Sequence, residues 1–158
     1  MEGKNNSKKK LKLKVSAIKE GTVIDHIPAK NLFKVINILG LDKIENPITF
    51  GTNLDSGKLG AKAIIKVSDV FFEDREINKI ALIAPHAKLN IIRDYEVVEK
   101  KIVETPEKIT GIVKCFNPKC ITNHEKITTC FTVIKKSPIA LKCKYCEKIT
   151  NLDQIKMV

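Results

Sequence analysis

Four cysteines near the end of the chain have the spacing of a metal site: Cys115-x4-Cys120, then Cys143-x2-Cys146. Each close pair suits a tight knuckle, and two knuckles can meet around one tetrahedral ion. Thiolates are soft, strongly donating ligands, and four of them close a zinc site with no position left for water. The expected cofactor is therefore one structural Zn2+ per chain, which stiffens a fold and does not polarise a substrate. The inventory for catalysis is poor. The histidines are His26, His86 and His124. Gly57-Lys58-Leu59-Gly60 lacks the spacing of a phosphate-binding P-loop, and no Gly-x-Ser-x-Gly elbow is present. Asp25 and His26 are adjacent in an extended run, where neighbouring side chains point to opposite faces, so they do not form a simple acid–base couple. Segments around Ile18, Asp25 and Lys66 can instead carry polar groups to one edge of a sheet. A lysine there suits a phosphate or ribose oxygen, and a carboxylate suits ribose hydroxyls. The competing reading is an ordinary solvated lysine and a structural carboxylate.

Those residues need elements to hold them. The chain has 158 residues, 43% of them hydrophobic, with few aromatics and no Trp. Ile and Val carry the apolar load, which favours strands. Thr22 to Ile27 is extended, and Pro28 suits a first helical turn. Leu32, Val35, Ile36 and Leu39 then fall at helical spacing, with Gly40 as the stop. Ile48-Thr49-Phe50 and Ala63 to Val67 flank the turn at Asp55 to Lys58 and predict a hairpin. Glu73-Asp74 opens a second helix with Ile77, Ile80, Ala81 and Ala84 buried and Pro85 as its end. Leu89 to Ile92 and Tyr95 to Val98 are further strands, and Leu13 to Ile18 alternates as well. The fold class is α+β: a ferredoxin-like β-α-β-β-α-β domain over residues 11–105, then a small all-β zinc-binding domain over 106–158. The break is placed at Thr105-Pro106. In the second domain, strands are expected at Ile109 to Cys115, Ile127 to Val133 and Ile139 to Cys143, with Cys130 as a small core residue. Some fifty residues bury little apolar surface, so metal is expected to supply stability there.

Residues 1–10 read as a flexible basic tail, without the apolar stretch of a secretory signal, and no run of eighteen apolar residues suggests a membrane span. A cytoplasmic location is expected, consistent with cysteines that hold metal rather than pair. The formal charge of +11 suits phosphates, nucleic acid or an acidic protein face without choosing among them.

Several longer runs point to a family. Ala17-Ile18-Lys19, the run from Gly21 to Ala29 (GTVIDHIPA), Tyr95-Glu96-Val97-Val98, and the run from Ile139 to Lys148 (IALKCKYCEK), with the cysteine spacing, make the chain resemble the regulatory subunit of aspartate carbamoyltransferase. The resemblance spans nearly everything after Lys10. It implies a non-catalytic chain of pyrimidine biosynthesis that binds CTP, ATP and often UTP in its first domain and grips the catalytic chain with its zinc domain. It also implies regulatory homodimers within a dodecamer of six catalytic and six regulatory chains. Carried over by position, Ala17 and Ile18 would read the base edge, with Tyr95 and Val97 nearby. Asp25 and Lys66 would hold the ribose, His26 and Lys100 would face the phosphates, and Asn90 and Ile92 would line the pocket. Ser16 stands where some relatives carry an acidic residue, which bears on effector preference. Asn117 and Lys119 in the first knuckle, and Lys144, Tyr145 and Glu147 around the second, would contact the catalytic chain. The rival reading is a nucleic-acid-binding zinc-ribbon protein. It fits the charge but leaves the nucleotide-site runs unexplained and has few aromatics for base stacking.

Overall fold

A computed structural model of the chain describes residues 17–57 and 60–158. They fall in two units, Met1–Val103 and Glu104–Val158, each with its own core. The basic tail and the alternating positions 13–16 lie outside the described residues, and so does Ser16; Ala17 and Ile18 belong to no strand.

In the first unit five segments form strands: β1 (Gly21–Pro28), β2 (Ile48–Ser56), β3 (Gly60–Ser68), β4 (Lys88–Arg93) and β5 (Glu96–Ile102). They form one sheet in the order β2-β3-β1-β4-β5, with every neighbour antiparallel. Side chains alternate across a strand. Thr22 and Ile24, Ala63, Ile65 and Val67, and Leu89 and Ile91 therefore share the buried face. Register supports this, since Ile24 stands between Ile65 and Leu89.

Helix α1 (Leu32–Ile38) follows a 3-10 turn after Pro28 and adds Leu32 and Val35 to the core. It is closed by Gly40, whose φ of 65° is left-handed and costs a glycine little. Helix α2 (Asp74–Ile77) carries a capping box between Glu73 and Glu76. It is a single turn running into a 3-10 turn at Asn78–Ile80, and does not continue to Pro85 as the sequence predicts. Ile77, Ile80, Ala81 and Ala84 are all buried as expected, but so is Ile83. A straight helix buries one stripe; successive tight turns let the chain direct Ile83 inward as well.

The predicted β-α-β-β-α-β order is met by β1 to β4, and β5 extends the sheet as a hairpin partner of β4. One local expectation fails. Between Ile24 and Ile27 the register with β3 slips by one residue, so Asp25 and His26 together stand opposite Ile64. This is a β-bulge, which re-aims side chains. His26 takes φ 60°, and its Nδ1 lies 3.5 Å from Asp25 Oδ2. The two side chains therefore meet instead of pointing to opposite faces.

The second unit contains β6 (Lys108–Thr110), β7 (Val113–Lys114), β8 (Cys130–Lys136), β9 (Ile139–Cys143), β10 (Ile149–Asn151) and β11 (Lys156–Met157). Four make a sheet in the order β10-β9-β8-β6, and β11 pairs with β7. The strand predicted from Ile109 to Cys115 is split at Gly111, which has φ 70° and donates its N–H to Thr129 O at 2.8 Å. Strands β10 and β11 are too short to show a period in sequence. Phe131 is fully buried between Ile109 and Cys143 in register. Its inward position turns Cys130 away by alternation, so Cys130 is half-buried rather than a core residue. Among the described residues no helix is long and apolar enough to cross a membrane.

Candidate effector site and metal centre

The thiol sulphurs of Cys115, Cys120, Cys143 and Cys146 all lie within 4.8 Å of one another. Cys115 Sγ is 3.6 Å from Cys146 Sγ, and Cys120 Sγ is 3.8 Å from Cys143 Sγ. Four sulphurs bound tetrahedrally at about 2.3 Å stand about 3.8 Å apart, so the set fits one ion of that kind. Local hydrogen bonds explain why the chain folds into knuckles. In the first, Asn117 O accepts from Cys120 N–H at 3.0 Å, and Asn117 Oδ1 accepts from Lys119 N–H at 3.1 Å. Asn123 Nδ2 donates to Cys115 O at 2.9 Å and to Asn117 O at 2.7 Å. In the second, Glu147 adopts φ 62° and donates its N–H to Cys143 O at 3.0 Å.

Electrostatics separate the thiols. Burial pushes the Cys115 thiol up to about 12, against the Asn117 amide, which favours the thiolate. Burial also raises Cys143. At Cys146 burial is outweighed by the Lys148 amide, the Asn117 side chain and the neighbouring thiols, and the value drops to about 7. A cation is what allows the buried members to shed their protons.

Around the centre, Lys119, Lys144, Tyr145 and Glu147 are exposed. Asn117 differs: it is only 7% exposed, and its side chain serves the knuckle. Sequence alone does not show this, because an Asn between two cysteines reads equally as surface.

In the first unit the predicted effector residues gather on the face of the sheet opposite the core. Register sets out one row across five strands: Thr49, Lys66, Val23, Asn90 and Lys100. The next row toward the start of β1 holds Gly21, Ile92 and Val97. The Asp94-Tyr95 turn adjoins it, and Tyr95 N–H donates to Lys19 O at 3.0 Å, which draws the turn to the segment bearing Ala17 and Ile18. Tyr95 and Val97 are exposed, Ile18 is half-buried and Ile92 is buried.

At the other end of β1 stands the bulge. Asp25 Oδ1 accepts from His26 N–H at 2.7 Å, and Lys62 Nζ lies 3.0 Å from Oδ1 and 3.2 Å from Oδ2. Lys62 is a residue that the sequence reading missed. The available signal was alternation on β3, since Lys62 shares a face with Lys66. Burial lowers the Lys66 pKa from its ordinary value, and the Asp25 charge partly restores it. A cleft of about 440 Å³ opens beside His26, walled by Pro85, His86, Ala87, Lys88, Ile102 and Val103. The face thus runs from apolar groups at one end to His26, Lys62 and Lys66 around the Asp25 carboxylate at the other. That gradient suits a ligand with a flat organic end and an anionic end.

Sheet and thiol cluster together define the class: a two-domain α+β chain with a separate metal-binding module. Residues 13–104 match the family model described as "Aspartate carbamoyltransferase regulatory chain, allosteric domain". Residues 107–156 match "Aspartate carbamoyltransferase regulatory chain, metal binding domain". Curated relatives with the same regulatory-chain name include one from Bacteroides fragilis, 56% identical over 152 residues, covering 96% of this chain and 99% of the relative. One from Phocaeicola vulgatus is 57% identical over 152 residues, covering 96% and 98%. One from Pyrococcus horikoshii is 57% identical over 145 residues, covering 90% and 95%. The chain belongs to the aspartate carbamoyltransferase regulatory chain family, and the nucleic-acid reading is not favoured.

Proposed function

We propose that this chain is the non-catalytic, nucleotide-sensing partner of an aspartate carbamoyltransferase catalytic chain. Its first unit binds CTP, ATP and UTP on the open face of the sheet. The base lies toward Ala17, Ile18, Ile92, Tyr95 and Val97. The ribose lies near Asp25, Lys66 and Asn90, and the phosphates lie toward His26, Lys100 and Lys62. The observation that carries this reading is the shared face: strands distant in sequence deliver Lys66, Asn90 and Lys100 to one row, between an apolar end and the bulge.

The second unit holds one structural Zn2+ through Cys115, Cys120, Cys143 and Cys146, and the fit of their separations supports that ion. The ion supplies a cross-link between the knuckles. The exposed Lys119, Lys144, Tyr145 and Glu147 then form a contact surface for the catalytic chain, with Asn117 stiffening it from beneath. Regulatory chains pair with one another, in an assembly of six catalytic and six regulatory chains. Phe33 and Phe50 support the pairing: they pack edge to face at 6.1 Å while both remain exposed, and Phe50 lies on the edge strand β2. Nucleotides act by binding the low- and high-activity arrangements with different affinity, a coupling of about 1–3 kcal/mol in typical systems.

The test is titration of the purified chain with CTP and with a random-sequence oligonucleotide at about 0.15 M salt, where weak contacts to phosphate backbones are screened. CTP should bind saturably and the oligonucleotide weakly; the reverse would overturn the reading. Co-purification with the catalytic chain and assay with and without nucleotide tests the assembly.

A further inference from the structure

We propose that Glu20, outside the set of residues assigned to the effector, is the positioning residue that holds the base end of the site in shape. The proposal rests on the nucleotide reading above and deepens it. The turn joining β4 to β5 places Asp94 at φ 50° and Tyr95 at φ 66°. Tight hairpin turns with two left-handed residues favour Asn and Gly, and a bulky aromatic there is strained. Something outside the turn must hold it.

The segment before β1 does so. Lys19 O accepts from Tyr95 N–H at 3.0 Å, and Glu20 Oε1 accepts from Asp94 N–H at 3.3 Å. Its other carboxylate oxygen, Oε2, accepts from Arg93 Nη1 at 3.3 Å. Arg93 is in turn stacked over the Phe71 ring, 4.3 Å from its centroid. The Glu20 backbone carbonyl accepts from Asp69 N–H at 3.0 Å, which ties the same residue to the loop after β3. Glu20 thus joins the two parts of the chain that carry the base end, the stretch bearing Ala17 and Ile18 and the Tyr95 turn, and ties both to the loop after β3. Its side chain is oriented toward the turn, so it acts on the ligand only through the residues it holds.

The ion pair is partly exposed, with Arg93 the more open member, so its own contribution to stability is small. Its effect should appear in recognition, because the base end must be ordered before it can read a flat ring. The phosphate end, built on the bulge of β1, does not depend on it.

The experiment compares Glu20→Ala and Glu20→Gln with the wild-type full chain, titrating each with CTP and with inorganic tripolyphosphate. Glu20→Ala removes the acceptor for the Asp94 amide and should weaken CTP about fivefold, with tripolyphosphate binding unchanged. Glu20→Gln keeps an acceptor and should restore most of the CTP affinity. If Glu20→Ala binds CTP as the wild type does, or loses CTP and tripolyphosphate equally, this inference is overturned while the nucleotide reading stands. If the wild-type chain binds no CTP, the nucleotide reading fails and takes this inference with it.

Discussion

Lys66 sits between two opposed influences. Partial burial disfavours its ammonium, while the Asp25 carboxylate favours it, and burial prevails, so the pKa falls below the ordinary 10.5. Below the lowered value Lys66 is charged in both folded and unfolded chains, and folding bears the cost of desolvating it. As pH rises through that value the folded chain releases the proton first, and this cost is relieved. Binding of an anion has the opposite sign, because it needs the charge. CTP affinity should therefore decline as pH rises through the lowered Lys66 pKa, before 10.5 is reached. Asp25→Asn removes the restoring charge, so the decline should begin at lower pH than in the wild type. Titrations of both proteins from neutral to about pH 10 check this; an unmoved or upward-shifted decline would refute it. Lys66 and Asp25 were legible in sequence as a cation and a carboxylate. Lys62, which lies within 3.2 Å of both Asp25 oxygens, was not, because contact depends on the bulge.

The elements show where small departures from regularity matter. Gly21 opens β1 at φ 137°, and a Cβ there would stand 2.0 Å from Val67 O. The neighbour is backbone in the paired strand and cannot turn aside. Gly21→Ala should therefore destabilise the first unit by about 3 kcal/mol or more, seen as an earlier urea midpoint by circular dichroism. A shift of only a few tenths would mean the strand can part at its end. In the second unit the comparable residue is Phe131, buried between Ile109 and Cys143. Phe131→Ala should cost about 3–5 kcal/mol. In a unit this small that approaches the whole stability, so the second unit should be unfolded at room temperature even with metal supplied. Loss of protection from amide exchange in β8 and β9 is the readout.

For the whole molecule, the two units should answer differently to metal. A strong chelator should unfold residues 104–158 and abolish association with the catalytic chain. CTP binding by the first unit should persist, because none of the residues proposed for it lies beyond Val103. Parallel measurement of metal content, CTP binding and complex size would decide it, and simultaneous loss of both activities would contradict the division. Cys120→Ser should reproduce the effect of the chelator, since no other thiol in the cluster can replace the missing ligand.

The sequence by itself determined the chemistry available and most of the architecture. Thiol type and spacing are local properties, so Cys115, Cys120, Cys143 and Cys146 could be grouped before any fold was known, and the extended runs of β1, β3 and β4 could be located, though not the face that each one buries. Helical spacing likewise located Leu32 and Val35, and the apolar positions from Ile77 to Ala84, though not the shortness of α2. Only the tertiary structure decided which residues share a surface. The bulge at Asp25 and His26, the reach of Lys62 and the clasp between Glu20 and the Asp94 turn all arise from pairing between segments far apart in the chain, and the burial of Asn117 from the closing of its knuckle. A one-residue slip reverses the face a side chain takes, and such slips are set by pairing across the sheet rather than by the sequence on either side.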